Sequence, residues 1–102
     1  MDPVSKLGFD LSRLDALGLY GPPNGLRALE YEFCIPARED LADQVRNIDP
    51  TLRVSRTSPG RVRCSKGQYL CLGSTHQPGY RAVLLTLAEL DYVGRIEQFY
   101  GE

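Results

Sequence analysis

The chain has no tryptophan, one methionine, one histidine and only three cysteines among its 102 residues. An odd cysteine count without framework spacing suits free thiols in a reducing compartment better than a disulfide scaffold. Cys34, Cys64, Cys71 and His76 are the only soft ligands, the number a structural zinc needs, but no Cys-x-x-Cys knuckle is present and no metal or other cofactor is expected. No run approaches the roughly 18 apolar residues of a membrane helix. The opening MDPVSKLGFD also lacks the basic-then-apolar build of a secretion signal. The expectation is a cytoplasmic protein with no membrane partner.

Acid is missing from one long stretch. Between Pro50 and Ala88 there is no Asp or Glu, while Arg53, Arg56, Arg61, Arg63, Lys66 and Arg81 all fall there; the net charge of the whole chain is only -1. Segregation of this kind places an electropositive region on an otherwise acidic body, which bears on partners more than on fold.

What is present fits one globular domain. Hydrophobic residues make up 42% and charged residues 25%, and 10 Gly with 7 Pro imply several turns. Residues 1–28 read as an N-terminal arm. Asp10 can cap a short helix carrying Leu11, Leu14 and Leu17, Gly18 closes it, and Gly21-Pro22-Pro23-Asn24-Gly25 separates it from the domain at 29–102. So short a helix needs support, and its leucines are expected to lie on the domain or on a partner.

Leu29, Tyr31, Phe33 and Ile35 alternate with Glu30, Glu32 and Cys34, which predicts a half-buried strand stopped by Pro36. Glu39 and Asp40 suit the first turn of a helix striped by Leu41, Val45 and Ile48 and ended at Asp49-Pro50. Leu52 to Ser55 predicts a second strand, and Thr57-Ser58-Pro59-Gly60 a turn. The returning strand falls at Val62 to Cys64, at Gln68 to Gly73, or at both. Pro78 suits the first turn of a second helix bearing Tyr80, Val83, Leu84, Leu87 and Leu90, and Arg95 to Tyr100 alternates again.

Strand, helix, strand, strand, helix, strand is the order of the split βαβ arrangement, so the chain resembles ferredoxin-like domains in topology. The resemblance covers Leu29 to Tyr100 and implies an α+β sandwich: a four-stranded antiparallel sheet, two helices on one face, and the first and third strands central. The short helical N-terminal arm read from residues 1–28 precedes it. It implies little chemistry, because the fold carries many functions. The Cys-x-x-Cys loop of metal chaperones with this fold is absent. Acylphosphatases need a Gly-rich anion cradle where this chain has Ile35-Pro36-Ala37-Arg38.

On this reading Leu70 and Leu72 face the helices. The open face then shows Glu30, Glu32, Cys34, Arg53, Ser55, Tyr69, Cys71, Arg95, Glu97 and Phe99. Only Tyr69 supplies a stacking aromatic on the central strands, too few for RNA recognition by the sheet. The expected function is therefore a non-catalytic interaction or regulatory module that self-associates or docks on a larger protein through Leu11, Leu14, Leu17, Tyr69 and Phe99. The alternative is an anion or nucleic-acid binder built on Arg53, Arg56, Arg61, Arg63 and Lys66, with Ser74, Thr75 and His76 ahead of the second helix, whose N-terminus favours anions. A third reading, a thiol-based redox protein or small enzyme, pairs Cys34 with Cys71 across neighbouring strands.

Overall fold

A computed structural model describes residues 3–100. Its strands and helices, in chain order, are β1 (Leu19–Tyr20), β2 (Arg27–Ala28), β3 (Glu30–Pro36), α1 (Glu39–Ile48), β4 (Arg53–Ser55), β5 (Gln68–Ser74), α2 (Tyr80–Glu89) and β6 (Glu97–Phe99). The result is an α+β fold in which β4-β5-β3-β6 form an antiparallel sheet and β1-β2 a separate two-stranded ribbon. The two central strands are the first and third of the domain, as expected.

The helices take up the faces that their sequences offer. Ala42 and Val45 of α1 are buried with Leu41 and Ile48 beside them, and Tyr80, Leu84, Leu87 and Ala88 of α2 are buried. They pack over Tyr31, Phe33 and Ile35 of β3, with Val93 and Ile96 closing the same core. Burial of each such side chain contributes about 1.5–3 kcal/mol, which opposes the ordering entropy of a chain this short.

The phase of β5 differs from the sequence expectation. Phe33 pairs with Cys71 and Ile35 with Tyr69, and directly opposed residues of an antiparallel pair share a face, so Cys71 and Tyr69 lie on the helix side. Leu70 and Leu72 point to the other, distal face, opposite Cys34 and Glu32. The alternation was right and its phase inverted, because both faces of β5 are covered and leucine no longer marks the helix side. Gly73 is needed on the helix side: a Cβ there would stand 2.6 Å from the Tyr31 ring, which crosses it.

The N-terminal residues are built into the domain. In place of the expected helix from Leu11 to Gly18 there is a 3-10 turn, Leu11–Arg13, whose cap Asp10 accepts the Ser12 N–H. Leu14 is buried in the core, whereas Leu17 is exposed. Lys6 and Gly8 bracket a parallel bridge from Leu7 to Ile96, with N···O distances of 2.9 and 2.8 Å. Thr75, fully buried, ties the segment down further: its Oγ1 donates to Gly18 O at 2.6 Å and accepts the Leu29 N–H at 2.9 Å. The linker 21–25 proves to be part of the loop joining β1 to β2.

A buried polar knot joins the ends of the elements. Asp49, just after α1 and fully buried, accepts from Tyr31 Oη, from Thr51 N and Oγ1 at 2.9 and 2.7 Å, and from Gln77 Nε2 at 2.9 Å. Burial, then the adjacent Asp49 charge and its hydrogen bond, push the Tyr31 phenol pKa above its ordinary value.

Candidate functional site

The connection between β4 and β5, residues 56–67, does not project as a hairpin tip. It folds back across the distal face of the sheet. Thr57 and Ser58 N–H groups donate to Ser55 Oγ at 3.4 and 3.0 Å, which turns the chain, and Gly60 takes φ +65° to pass close over the strands. A side chain at 60 would meet Glu32 Oε1 at 2.6 Å and Leu70 Cδ1 at 2.7 Å, so only glycine fits. Val62 N–H then donates to Glu32 Oε1 at 2.9 Å, and Cys64 forms a disulfide with Cys34 of β3. Beneath this strap Glu32 is fully buried and Leu70 nearly so. Oε2 of Glu32 is buried with no hydrogen-bond partner among the described residues.

The disulfide corrects two sequence expectations. Cys34 bonds to Cys64, 30 residues away, and not to Cys71, because Cys34 and Cys71 lie on opposite faces of the sheet. Cys71 is a buried free thiol whose pKa burial pushes up to about 12, which makes it a poor nucleophile. The expectation of three free thiols fails with it. Closing a loop of this length stabilises the fold by about 3–4 kcal/mol in the chain-entropy account.

The predicted basic residues separate into committed and uncommitted cations. Arg56 is committed. Its Nε and Nη2 reach Glu39 Oε2 and Oε1 at 2.8 and 2.6 Å, its guanidinium lies 5.3 Å from the Tyr69 ring centroid, and Tyr69 Oη donates to Glu39 Oε2 at 2.9 Å. The Arg56 hydrogen bonds, followed by that of Tyr69, hold the Glu39 pKa down at about 2. Arg61 is exposed on the strap. Arg53, Arg63 and Lys66 are also exposed, and among the described residues no carboxylate pairs with them. Arg63 holds a left-handed backbone, φ +64°, the one non-glycine residue described to do so. Such a conformation is costly and persists where its surroundings impose it, here beside the Cys64 anchor.

Two shallow clefts flank the disulfide. One of about 350 Å³ is lined by Arg56, Ser58, Cys64, Ser65, Lys66 and Gln68. The other, about 240 Å³, is lined by Cys34, Val62, Arg63, Gln68, Tyr92 and Arg95. Arg95 hydrogen-bonds Glu97.

The remaining candidates lie elsewhere. Ser74, Thr75 and His76 do not lead into a helix N-terminus: α2 begins at Tyr80 behind Gly79, Thr75 is spent on Gly18 and Leu29, and Ser74 Oγ accepts the His76 N–H. Of the residues expected to meet a partner, Leu14 is in the core, Leu11 is partly buried against it, and Tyr69 is tied to Glu39 on the helix side. Phe99 is half-buried on the distal side of β6, and Leu17 is exposed. No group of three or more His, Cys, Asp or Glu among the described residues could hold a metal ion. Nor is any helix long and apolar enough to cross a membrane among those residues. Glu32 and Asp49, both buried, and the partly buried Gln77 escaped sequence reasoning, since such a polar residue looks like a solvated one until its partners are known. Compared with known proteins, the chain matches no family model, no curated protein and no solved structure.

Proposed function

We propose that the chain is a ferredoxin-like, non-catalytic interaction module whose contact surface is the strapped loop 56–67 with the neighbouring edge strand β4. Its partner is an anionic polymer or an anionic patch on a larger molecule. One observation carries this reading: Arg63 and Lys66, with no carboxylate paired to them among the described residues, stand on a loop anchored by a disulfide and by the Val62–Glu32 hydrogen bond. Cations on a fixed frame lose less entropy on binding than cations on a free loop. Arg53 extends the surface along β4. The strand order β4-β5-β3-β6 supports the ferredoxin-like assignment, since it puts the first and third strands in the middle.

Docking through an open sheet face has less support, because the strap covers the Glu32, Cys34 and Leu70 part of that face and Leu14 and Tyr69 are engaged inside the chain. The Cys34–Cys64 bond favours work in an oxidising compartment over the cytoplasm. The test is a titration with a sulfated polysaccharide and with a single-stranded oligonucleotide at low and high salt. Binding should weaken steeply with salt, and the triple variant Arg53→Ala, Arg63→Ala, Lys66→Ala should bind about tenfold or more weakly with a shallower salt slope. Equal binding by the triple variant, or none by the native chain, refutes the reading.

A further inference from the structure

We propose that the Cys34–Cys64 bond is a redox clasp, opened by a small thiol that carries a negative charge, and that opening releases the middle of the strap, around Gly60 to Cys64, from the sheet. The inference rests on the strapped loop being the contact surface and names how that surface is regulated.

Three features converge on it. First, the disulfide is a covalent hold on the middle of the strap, beside the Val62 N–H to Glu32 and the packing of Gly60 on Glu32 and Leu70. The two ends are tied elsewhere, by Arg56 to Glu39 and by Gly67 O, which accepts the Ala37 N–H at 2.9 Å. Second, the bond is approachable. Cys34 is partly exposed and borders the cleft that also holds Val62, Arg63 and Arg95, while Cys64, itself buried, borders the second cleft, with Lys66. Third, the surroundings are cationic. Arg63 has no paired carboxylate among the described residues, so an entering anion meets an available positive charge. A positive field raises the local concentration of an anionic thiol and steadies the thiolate that leaves.

The chemistry balances as thiol–disulfide exchange. The thiolate attacks Sγ of Cys34, the bond to Cys64 breaks, and the electron pair leaves on Cys64 Sγ, which takes a proton from solvent. A second thiolate attacks the mixed disulfide at the sulfur of the first thiol. It forms the small-molecule disulfide and releases Cys34 as a thiolate, which is then protonated. Two electrons and two protons pass from two thiols to the protein. The strap then loses its anchor, Leu70 and Glu32 are uncovered, and Arg63 and Lys66 no longer stand on a fixed frame.

The experiment uses the full chain with two monothiols of similar acidity, one bearing a carboxylate and one bearing an amine. Reaction is quenched by alkylation and followed by mass, and backbone amide exchange is read at Val62 and Cys64 before and after reduction. The carboxylate thiol should react about tenfold faster than the amine thiol, and Arg63→Ala should remove the difference. On reduction Val62 and Cys64 should lose protection while the β3–β5 ladder and α2 keep theirs. Equal rates for the two thiols, a Val62 amide that stays protected, or global unfolding on reduction each overturns the clasp. Polyanion binding by the oxidised chain is read separately: its absence overturns the contact-surface reading and leaves the exchange result standing, and the reverse outcome overturns only the clasp.

Discussion

Val62 donates its backbone N–H to Oε1 of Glu32 at 2.9 Å, and that bond spans the gap between a surface loop and the middle strand of the sheet. The same carboxyl lies under Gly60, and its second oxygen is buried without a partner among the described residues. The part of the sheet's distal face around Glu32 and Leu70 is thereby covered by the chain's own loop.

Substitutions at Glu32 should separate the hydrogen bond from the carboxyl. Glu32→Ala leaves the Val62 N–H without its acceptor and should cost about 1–3 kcal/mol in urea unfolding. Glu32→Gln keeps an oxygen acceptor and removes an ill-partnered acid, so it should stay within about 1 kcal/mol of the native chain. Gly60→Ala combines φ +65° with a collision against Glu32 and Leu70, and should destabilise by about 2 kcal/mol or more.

Tyr31 and Asp49 predict an alkaline limb. Tyr31→Phe removes a donor from a buried carboxylate and should cost about 1.5–3 kcal/mol by denaturant titration. Because the folded phenol's pKa is raised, its contribution is fully present below the unfolded value of 10.0 and fades as pH rises above it. Ultraviolet titration of the six tyrosines should therefore show one that ionises only as the fold is lost, and Tyr31→Phe should remove that one.

Much of this fold was legible in the sequence, and the reasons are local. Leu29 to Ile35 alternates cleanly, α1 carries a complete stripe bounded by Glu39 and Pro50, and α2 is apolar at helical spacing, so periodicity alone locates these elements. Periodicity failed where a face is covered by something that has no period. Leu70 is buried beneath an irregular strap, which reads identically to helix packing. The partner of Cys34 was hidden for the same reason, since Cys64 reaches β3 through a loop path that no spacing rule encodes. The basic character of 53–66 was visible, but the withdrawal of Arg56 to Glu39 and Tyr69 depends on tertiary placement.

Glu39 predicts an acid limb of opposite sign. Its folded pKa, depressed to about 2 mainly by Arg56, means that the interaction supports the fold above the unfolded value of 4.5 and is lost as pH falls toward 2. The pair is exposed, so the effect should be small and should shrink with salt. Urea midpoints of the native chain and Glu39→Gln should converge below pH 2 and differ most near neutrality.

Thr75 tests how firmly the N-terminal residues belong to the domain. Thr75→Val keeps the shape but removes the donor to Gly18 O and the acceptor for Leu29 N, both buried. The expected cost is about 1–3 kcal/mol in the global unfolding transition. A variant that merely frees residues 3–28 to proteolysis, with an unchanged midpoint, would show that they fold independently.

The strap is held to β3 by the Cys34–Cys64 bond, and peptide mapping of the unreduced chain tests that anchor most directly. Digestion under non-reducing conditions with prior alkylation under denaturing conditions should yield one cross-linked pair containing Cys34 and Cys64, with Cys71 alkylated. A cross-link from Cys34 to Cys71, or three alkylated cysteines, would contradict the account.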